Sequence, residues 1–186
     1  MIRNRVDYLE YLRADEQALG VSGTRWINRI VNPIYRFEYS LRKYEYMYNC
    51  YYHTILKPIV IFIGFRHRAL GCKLGFTIPI NVFDKGLSIA HIGTIVVNAG
   101  AKVGKNCRIH TCTNIGVSAG TKSGAPILGN NVYIGPGAKI FGNIVIADNV
   151  AIGANAVVNK SFETSNITIA GIPAKKVSNK GAVGFI

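Results

Sequence analysis

The chain has 186 residues, enough for one domain with a modest appendage and too few for two ordinary domains. Its 22 Lys and Arg against 9 Asp and Glu leave a formal charge of +13. That balance points to an anionic partner such as nucleic acid, a membrane surface or a phosphorylated ligand, without choosing among them. The basic residues are spread along the chain with no zinc-finger, aromatic RNA-binding or heptad signature, so nucleic acid is not expected as a partner. The four cysteines, Cys50, Cys72, Cys107 and Cys112, show no metal-ligand spacing and do not make a disulfide scaffold.

The N-terminus, MIRNRVDYLEYLRADE, is charged throughout, so no cleavable signal is expected. Residues 6–19 read as a helix, and Ser22 or Thr24 offers a cap for a second. The segment that follows mixes Tyr35, Tyr39, Tyr46 and Tyr52 with Arg36, Arg42, Lys43, Arg66 and Arg68. It reads as a helical cap over the rest of the domain, compatible with an interfacial surface in which tyrosines sit at headgroup depth and cations meet anionic lipid. The longest apolar run, residues 55–65, is interrupted by Lys57 and Pro58 and falls short of the ~20 residues of a spanning helix. The expected location is cytoplasmic, with peripheral contact at the inner face of a membrane as a compatible reading.

From Val97 the grammar changes to a period of six: VNAGAK, VGKNCR, IHTCTN, IGVSAG, a break over residues 121–127, then LGNNVY, IGPGAK, IFGNIV, IADNVA, IGANAV. Every unit opens on Val, Ile or Leu, and Ala101, Cys107, Thr113 and Ala119 are the small fifth residues of the first four. Neither the 3.6-residue period of a helix nor the two-residue period of a strand explains nine such units. Three short strands per coil do, with Gly, Asn and Asp at the turns. The organisation expected is a mainly β chain: a short helical N-terminal region over 1–75, a parallel β-helix of hexapeptide repeats over 76–178 and a tail over 179–186. The break reads as a loop pushed out of the coil.

Four histidines are candidate general bases near neutral pH. His53 and His67 sit among Tyr and Arg in the helical part and read as structural or surface residues. His91 stands six residues before Val97, where an aliphatic is expected, so it reads as either a hydrogen-bonded core histidine or a functional one. His110 is second in its unit, beside Thr111 and Thr113, about one coil away. A zinc site on such a coil needs three histidine ligands, and only two fall within it, so no metal is expected.

The stretches GLSIAHIGTIVVNAGAKVGKN, TNIGVSAGTKSGAPILGNNVYIGPGAKIFGNIVIADNVAIGANAVVNKSF and IAGIPAKKV, within residues 74–178, resemble the serine acetyltransferase branch of the hexapeptide acyltransferases. The resemblance implies a left-handed β-helix, a homotrimer, and acetyl-CoA lying in the cleft between subunits. It places the catalytic histidine on His91 and cofactor contacts near Gly135, Gly137 and Ala154, then Asn159 and Lys160; His110 stays a second catalytic candidate by its place in the repeat, and Lys175 or Lys176 are candidates for the phosphates by charge. The departures from that branch are Ala90 where an Asp is usual, Phe76 where a carboxylate orients the imidazole, and Gly124-Ala125-Pro126 where an Arg-His pair helps hold the amino acid. Lys122 is the cation this loop offers. Asn81 and Asp84, close upstream, are candidates for orienting His91 and for contacting the acceptor.

The Tyr-rich lead-in and IPINVFDKGLSIAH resemble more closely the acetyltransferases of capsule and exopolysaccharide gene clusters. On that resemblance the acceptor expected is a sugar hydroxyl, often on a lipid carrier, with Phe76, Phe83 and Phe141 helping to form its wall. The alternatives are serine O-acetylation, to which the terminal Ile186 adds a weak cue, and a non-catalytic β-helix assembly module.

Overall fold

A computed structural model describes residues 1–21, 25–120 and 124–185. Four helices come first: α1 (Arg5–Ala18), α2 (Arg25–Val31), α3 (Pro33–Tyr51) and α4 (Lys57–Leu74). Local chemistry sets their ends. Asn4 and Asn32 accept from the backbone N–H groups of Asp7 and Tyr35, capping α1 and α3. Gly75, at φ +79°, ends α4 in the left-handed conformation that glycine takes without steric cost. Ser22 and Thr24, the expected caps of the second helix, lie outside the described residues.

The rest is a three-sided coil. Its first face stacks β1 (Phe76–Thr77), β3 (Ile95–Val97), β6 (Thr113–Gly116), β9 (Lys139–Phe141) and β12 (Val157–Val158). The second stacks β4 (Lys102–Val103), β7 (Ile127–Leu128) and β10 (Val145–Ile146). The third stacks β2 (Ser88–Ile89), β5 (Arg108–Ile109), β8 (Tyr133–Ile134), β11 (Ala151–Ile152) and β13 (Thr168–Gly171), and β14 (Ala174–Ser178) closes it antiparallel to β13. The other pairs are parallel. Val97, Val103, Ile109, Ile115, Leu128, Ile134, Ile140, Ile146 and Ile152, the opening residues of the nine units, are all buried. They form one column per face, as the six-residue period predicts. Asparagines in the left-handed conformation turn the corners, and Asn106, Asn131 and Asn149 form a hydrogen-bonded ladder up one of them.

Register locates the two irregularities. Ile134 pairs with Ile152, 18 residues on, whereas Ile109 pairs with Ile134, 25 residues on. The seven extra residues fall between β6 and β7, and Ile127 already belongs to the coil. The expected break at 121–127 therefore ends one residue early, and its residues 121–123 lie outside the described set. The second irregularity corrects the reading of His91. Ile89 pairs with Ile109 and Val97 with Ile115, so eight residues separate 89 from 97 where six separate 109 from 115. The inward position belongs to Ile89, which is buried, and His91 is exposed on the two-residue excess at the corner.

The helices cover the open first coil. Phe37 and Leu41 of α3 join the coil's core with Leu74, Phe76 and Ile78, and the Phe37 and Phe76 rings meet edge to face at 4.9 Å. Some of the tyrosines have partners on a neighbouring helix. Tyr8 stacks on Tyr46, and the Tyr35 hydroxyl donates to Glu16 at 2.7 Å.

Arg42 fastens the two halves together. It is fully buried, and its guanidinium donates to Asp15 of α1, to Glu45 of α3 and to the carbonyls of Phe83 and Asp84 at the first coil. Asp15 in turn accepts from the Gly86 and Leu87 amides. Nearby, buried Glu38 accepts from Ile89 N–H through Oε1, while its Oε2 has no hydrogen-bond partner among the described residues. Burial first, then the charge of Asp15, pushes the Glu38 carboxyl well above the usual carboxylate range.

Arg42→Ala leaves Asp15 and Glu45 buried without their cation and should cost about 3–5 kcal/mol in a denaturant titration. A folded-state pKa raised above the unfolded value stabilises fully below the unfolded pKa and loses that contribution as pH rises through the folded one. Glu38→Gln keeps an acceptor for Ile89 but cannot ionise, so the fall in melting temperature as pH rises above the ordinary carboxylate range should be shallower than in the parent.

Candidate active site

Where the third face turns into the first, each coil exposes a corner, and the corners stack into a ridge. From one end it runs through residues 90–94, 110–112, 135–138 and 153–156. His91 and His110 occupy adjacent corners with their rings 5.8 Å apart. The His110 ring meets Tyr133 edge-on at 5.2 Å, and Tyr133 packs against Phe185 of the returning tail at 4.8 Å. His110 is held below the ordinary histidine range by burial first, then by the charge of Arg108 and by His91. It is therefore neutral at pH 7 and able to donate one hydrogen bond and accept another.

Arg108 was not picked out by the sequence reading. It precedes His110 by two, so strand alternation sets both on the outside of the coil with Ile109 inward. Its guanidinium reaches Ser88 Oγ at 3.2 Å and pairs with no carboxylate among the described residues. That alternation was the available signal.

The expected cofactor residues divide between places. Gly135, Gly137 and Ala154 lie on the ridge with the two histidines. The amides of Gly135 and Gly137 are already spent on Ile152 and Thr111, and a Cβ at either would strike the next coil within 3 Å. Their glycines are therefore required by coil stacking, and Ala154 is exposed on the ridge. Asn159 and Lys160 follow β12 at a different corner, on the side of the extruded loop. Lys175 and Lys176 are exposed on β14, at the far end of the third face. Lys122 and Ile186 lie outside the described residues.

Asn81 and Asp84 sit away from the ridge, beneath the helices. Asn81 exchanges hydrogen bonds with Asn49, and Asp84 accepts from the Tyr11 hydroxyl and the Lys85 amide. Both border a cavity of about 340 Å³ that also takes in Glu45, Lys102 and Leu128. They are held by the helical cap, and neither is in contact with His91. Phe76 and Phe83 are buried in the core, which removes them from any acceptor wall. His67 is buried against Ser40, Phe37 and Tyr44 with its pKa lowered to about 4, chiefly by burial, and His53 is exposed beside Tyr52. Among the described residues no three His, Cys, Asp or Glu side chains form a metal-binding group.

Residues 125–160 match the family described as bacterial transferase hexapeptide (six repeats). A serine acetyltransferase of Synechococcus elongatus is 39% identical over 99 residues, 52% of this chain and 40% of that protein. A serine acetyltransferase of Helicobacter pylori is 30% identical over 145 residues, covering 77% of both chains. Among solved structures, a serine acetyltransferase from Brucella abortus in complex with coenzyme A superposes with a TM-score of 0.73 at 24% identity, over 95% of this chain and 70% of that one. The fold is thus the left-handed hexapeptide coil with a helical N-terminal region. The chain spans less than half the length of the Synechococcus protein.

These relatives overturn one expectation. They are named serine acetyltransferases, so the closeness to polysaccharide O-acetyltransferases, and the sugar or lipid-linked acceptor and polysaccharide biosynthesis inferred from it, are not upheld. The burial of Phe76 and Phe83 removes two-thirds of the aromatic wall that reading relied on.

The electrostatics of the ridge are testable by NMR. The His110 imidazole should titrate below an ordinary histidine, and Arg108→Gln should move its midpoint upward by removing one of the charges that disfavour the imidazolium.

Proposed function

This chain belongs to the serine acetyltransferase family, and we propose that it transfers the acetyl group of acetyl-CoA to the hydroxyl of serine. The observation that carries this reading is the exposed His91 beside a neutral His110 on a ridge long enough for the cofactor. In the proposed step His91 takes the hydroxyl proton as the serine oxygen attacks the thioester carbonyl. The tetrahedral intermediate collapses, the carbon–sulfur bond breaks, and the proton passes to the departing thiolate. His110, 5.8 Å from His91 ring to ring, is placed to hold a hydrogen bond to the reacting group.

Acetyl-CoA fits the ridge by dimension and charge. The third face has four inter-strand steps between β2 and β13, about 19 Å at the usual sheet spacing. An extended pantetheine arm of that order would put the thioester at His91 and the phosphates near Lys175 and Lys176, neither of which is ion-paired among the described residues. Asn159 and Lys160, on another corner, would reach a cofactor bound against the neighbouring copy in a homotrimer, and that assembly is part of the proposal.

Serine brings a carboxylate that needs a cation. The loop offers only Lys122, whereas the Arg108 guanidinium beside His110 has no carboxylate partner among the described residues and can take one with two hydrogen bonds. Arg108 is therefore assigned to the acceptor.

The test is release of free thiol from acetyl-CoA with L-serine as acceptor. Turnover with serine is expected. His91→Ala should lower kcat by roughly 10²–10⁴ and leave acetyl-CoA binding nearly unchanged, while Arg108→Gln should mainly raise KM for serine. Thiol release at the same rate with and without serine, the acetyl group passing to water, would rule the acceptor out, as would acetyl-CoA binding with no thiol release when serine is added. An unaffected His91→Ala variant would rule out the base.

A further inference from the structure

Helix α4 packs inside out. The side it buries carries Val60, Gly64, His67, Gly71 and Leu74, and Gly64 lies so close to the Tyr44 ring that a Cβ would sit 2.6 Å from it. The side it presents carries the larger apolar groups: Phe62 is 59% exposed, Phe65 69%, Ile61 55% and Ile59 50%. At 100° per residue Pro58, Phe62, Phe65, Ala69 and Cys72 make one continuous outer stripe. An ordinary surface helix is apolar toward the core and polar toward water. This one exposes two aromatic rings and buries two glycines.

The charges on the same helix all have one sign. Lys57, Arg66, Arg68 and Lys73 are exposed, Arg66 lies over the Phe62 ring at 5.9 Å, and no Asp or Glu occurs between residues 57 and 74. His67 is buried with its pKa lowered to about 4, so it adds no charge at neutral pH. Nor is the helix a spanning one: among the described residues none is long and apolar enough to cross a membrane.

We propose that α4 is a membrane-docking surface, lying in the interface of a bilayer rich in anionic lipid with Phe62 and Phe65 among the acyl chains. Lys57, Arg66, Arg68 and Lys73 then meet lipid phosphates from the rim of the stripe. Charge selects this occupant. A second copy docking stripe to stripe would bring four cations against four with no acid on either helix, in a chain already carrying +13. A bilayer with anionic headgroups supplies both the apolar volume and the counter-charge. The segment whose tyrosines and cations suggest such contact in the sequence includes α4 through Arg66 and Arg68.

This inference is independent of the acceptor and is tested without it. The full chain is floated with vesicles of phosphatidylcholine alone or phosphatidylcholine with phosphatidylglycerol, at low and high salt. Binding is expected only with phosphatidylglycerol, weakening as salt rises. Phe62→Ser with Phe65→Ser should lower partitioning by about tenfold or more, because two exposed rings lose their acyl environment without disturbing the core. Arg66→Gln with Arg68→Gln should remove the preference for anionic lipid. Val145→Ser, an exposed apolar change on the coil, should do nothing. Absence of flotation at low salt overturns the proposal. So does lipid-free self-association in sedimentation that the Phe62→Ser, Phe65→Ser variant abolishes, because a second copy then covers the face. Thiol release from acetyl-CoA, measured on the same variants in solution, should be unchanged.

Discussion

Arg42 is the point on which the two halves of this molecule depend. A coil of hexapeptides buries its column of aliphatics only where another coil lies above and below, so its first turn is open and must be covered. The helices cover it with Phe37 and Leu41, but a greasy lid alone has no fixed orientation. The guanidinium supplies one. It binds a carboxylate on α1, another on α3 and two coil carbonyls at once, using its planar fork of donors. Asp15 then holds the Gly86 and Leu87 amides, and Glu38 holds that of Ile89. The strand leading to His91 is thus hydrogen-bonded from the helical side at successive points.

That anchoring matters because His91 stands where the coil departs from its own rule. A hexapeptide corner is tight, and stacked corners leave little room: a Cβ at Gly135 or Gly137 would collide with the next coil. Only the first corner carries two extra residues, and it has no coil of its own kind beneath it. Excess chain at that position projects outward, which is why a histidine can be exposed there without breaking the core. His110, one coil on, sits in the regular pattern and is partly buried. The two imidazoles therefore differ in environment while lying side by side, a common arrangement where two titratable groups take different roles.

The acceptor was misjudged for a related reason. The sugar reading takes Phe76 and Phe83 as an acceptor wall, yet one side chain packs under the first coil against Phe37 and the other is buried on the second face. Asn81 and Asp84 were drawn in by nearness in the chain and are held by Asn49 and Tyr11. In a coil, chain neighbours within six residues usually lie on different faces, and the residues that share a site are those about 18 apart. Arg108 lies 17 residues from His91, and Tyr133 lies 23 from His110 because that coil carries the extruded loop; neither stands out in a linear reading.

The period of six was enough to establish the β-helix, its three inward columns and the place of the extruded loop, because an inward aliphatic every sixth residue fits a three-sided coil and neither a helix nor a simple strand. Composition also separated the helical cap from the coil. The exposure of His91 was decided only by register, since a two-residue excess changes a side chain from inward to outward while leaving the local sequence plausible either way. The partners of Arg42 were decided only by packing, because Asp15, Glu45 and the coil carbonyls lie up to 42 residues away and a salt bridge has no period. The outward face of α4 belongs to the same class. Its composition reads as a buried helix, and only the close approach of Gly64 to Tyr44 shows which side is turned in.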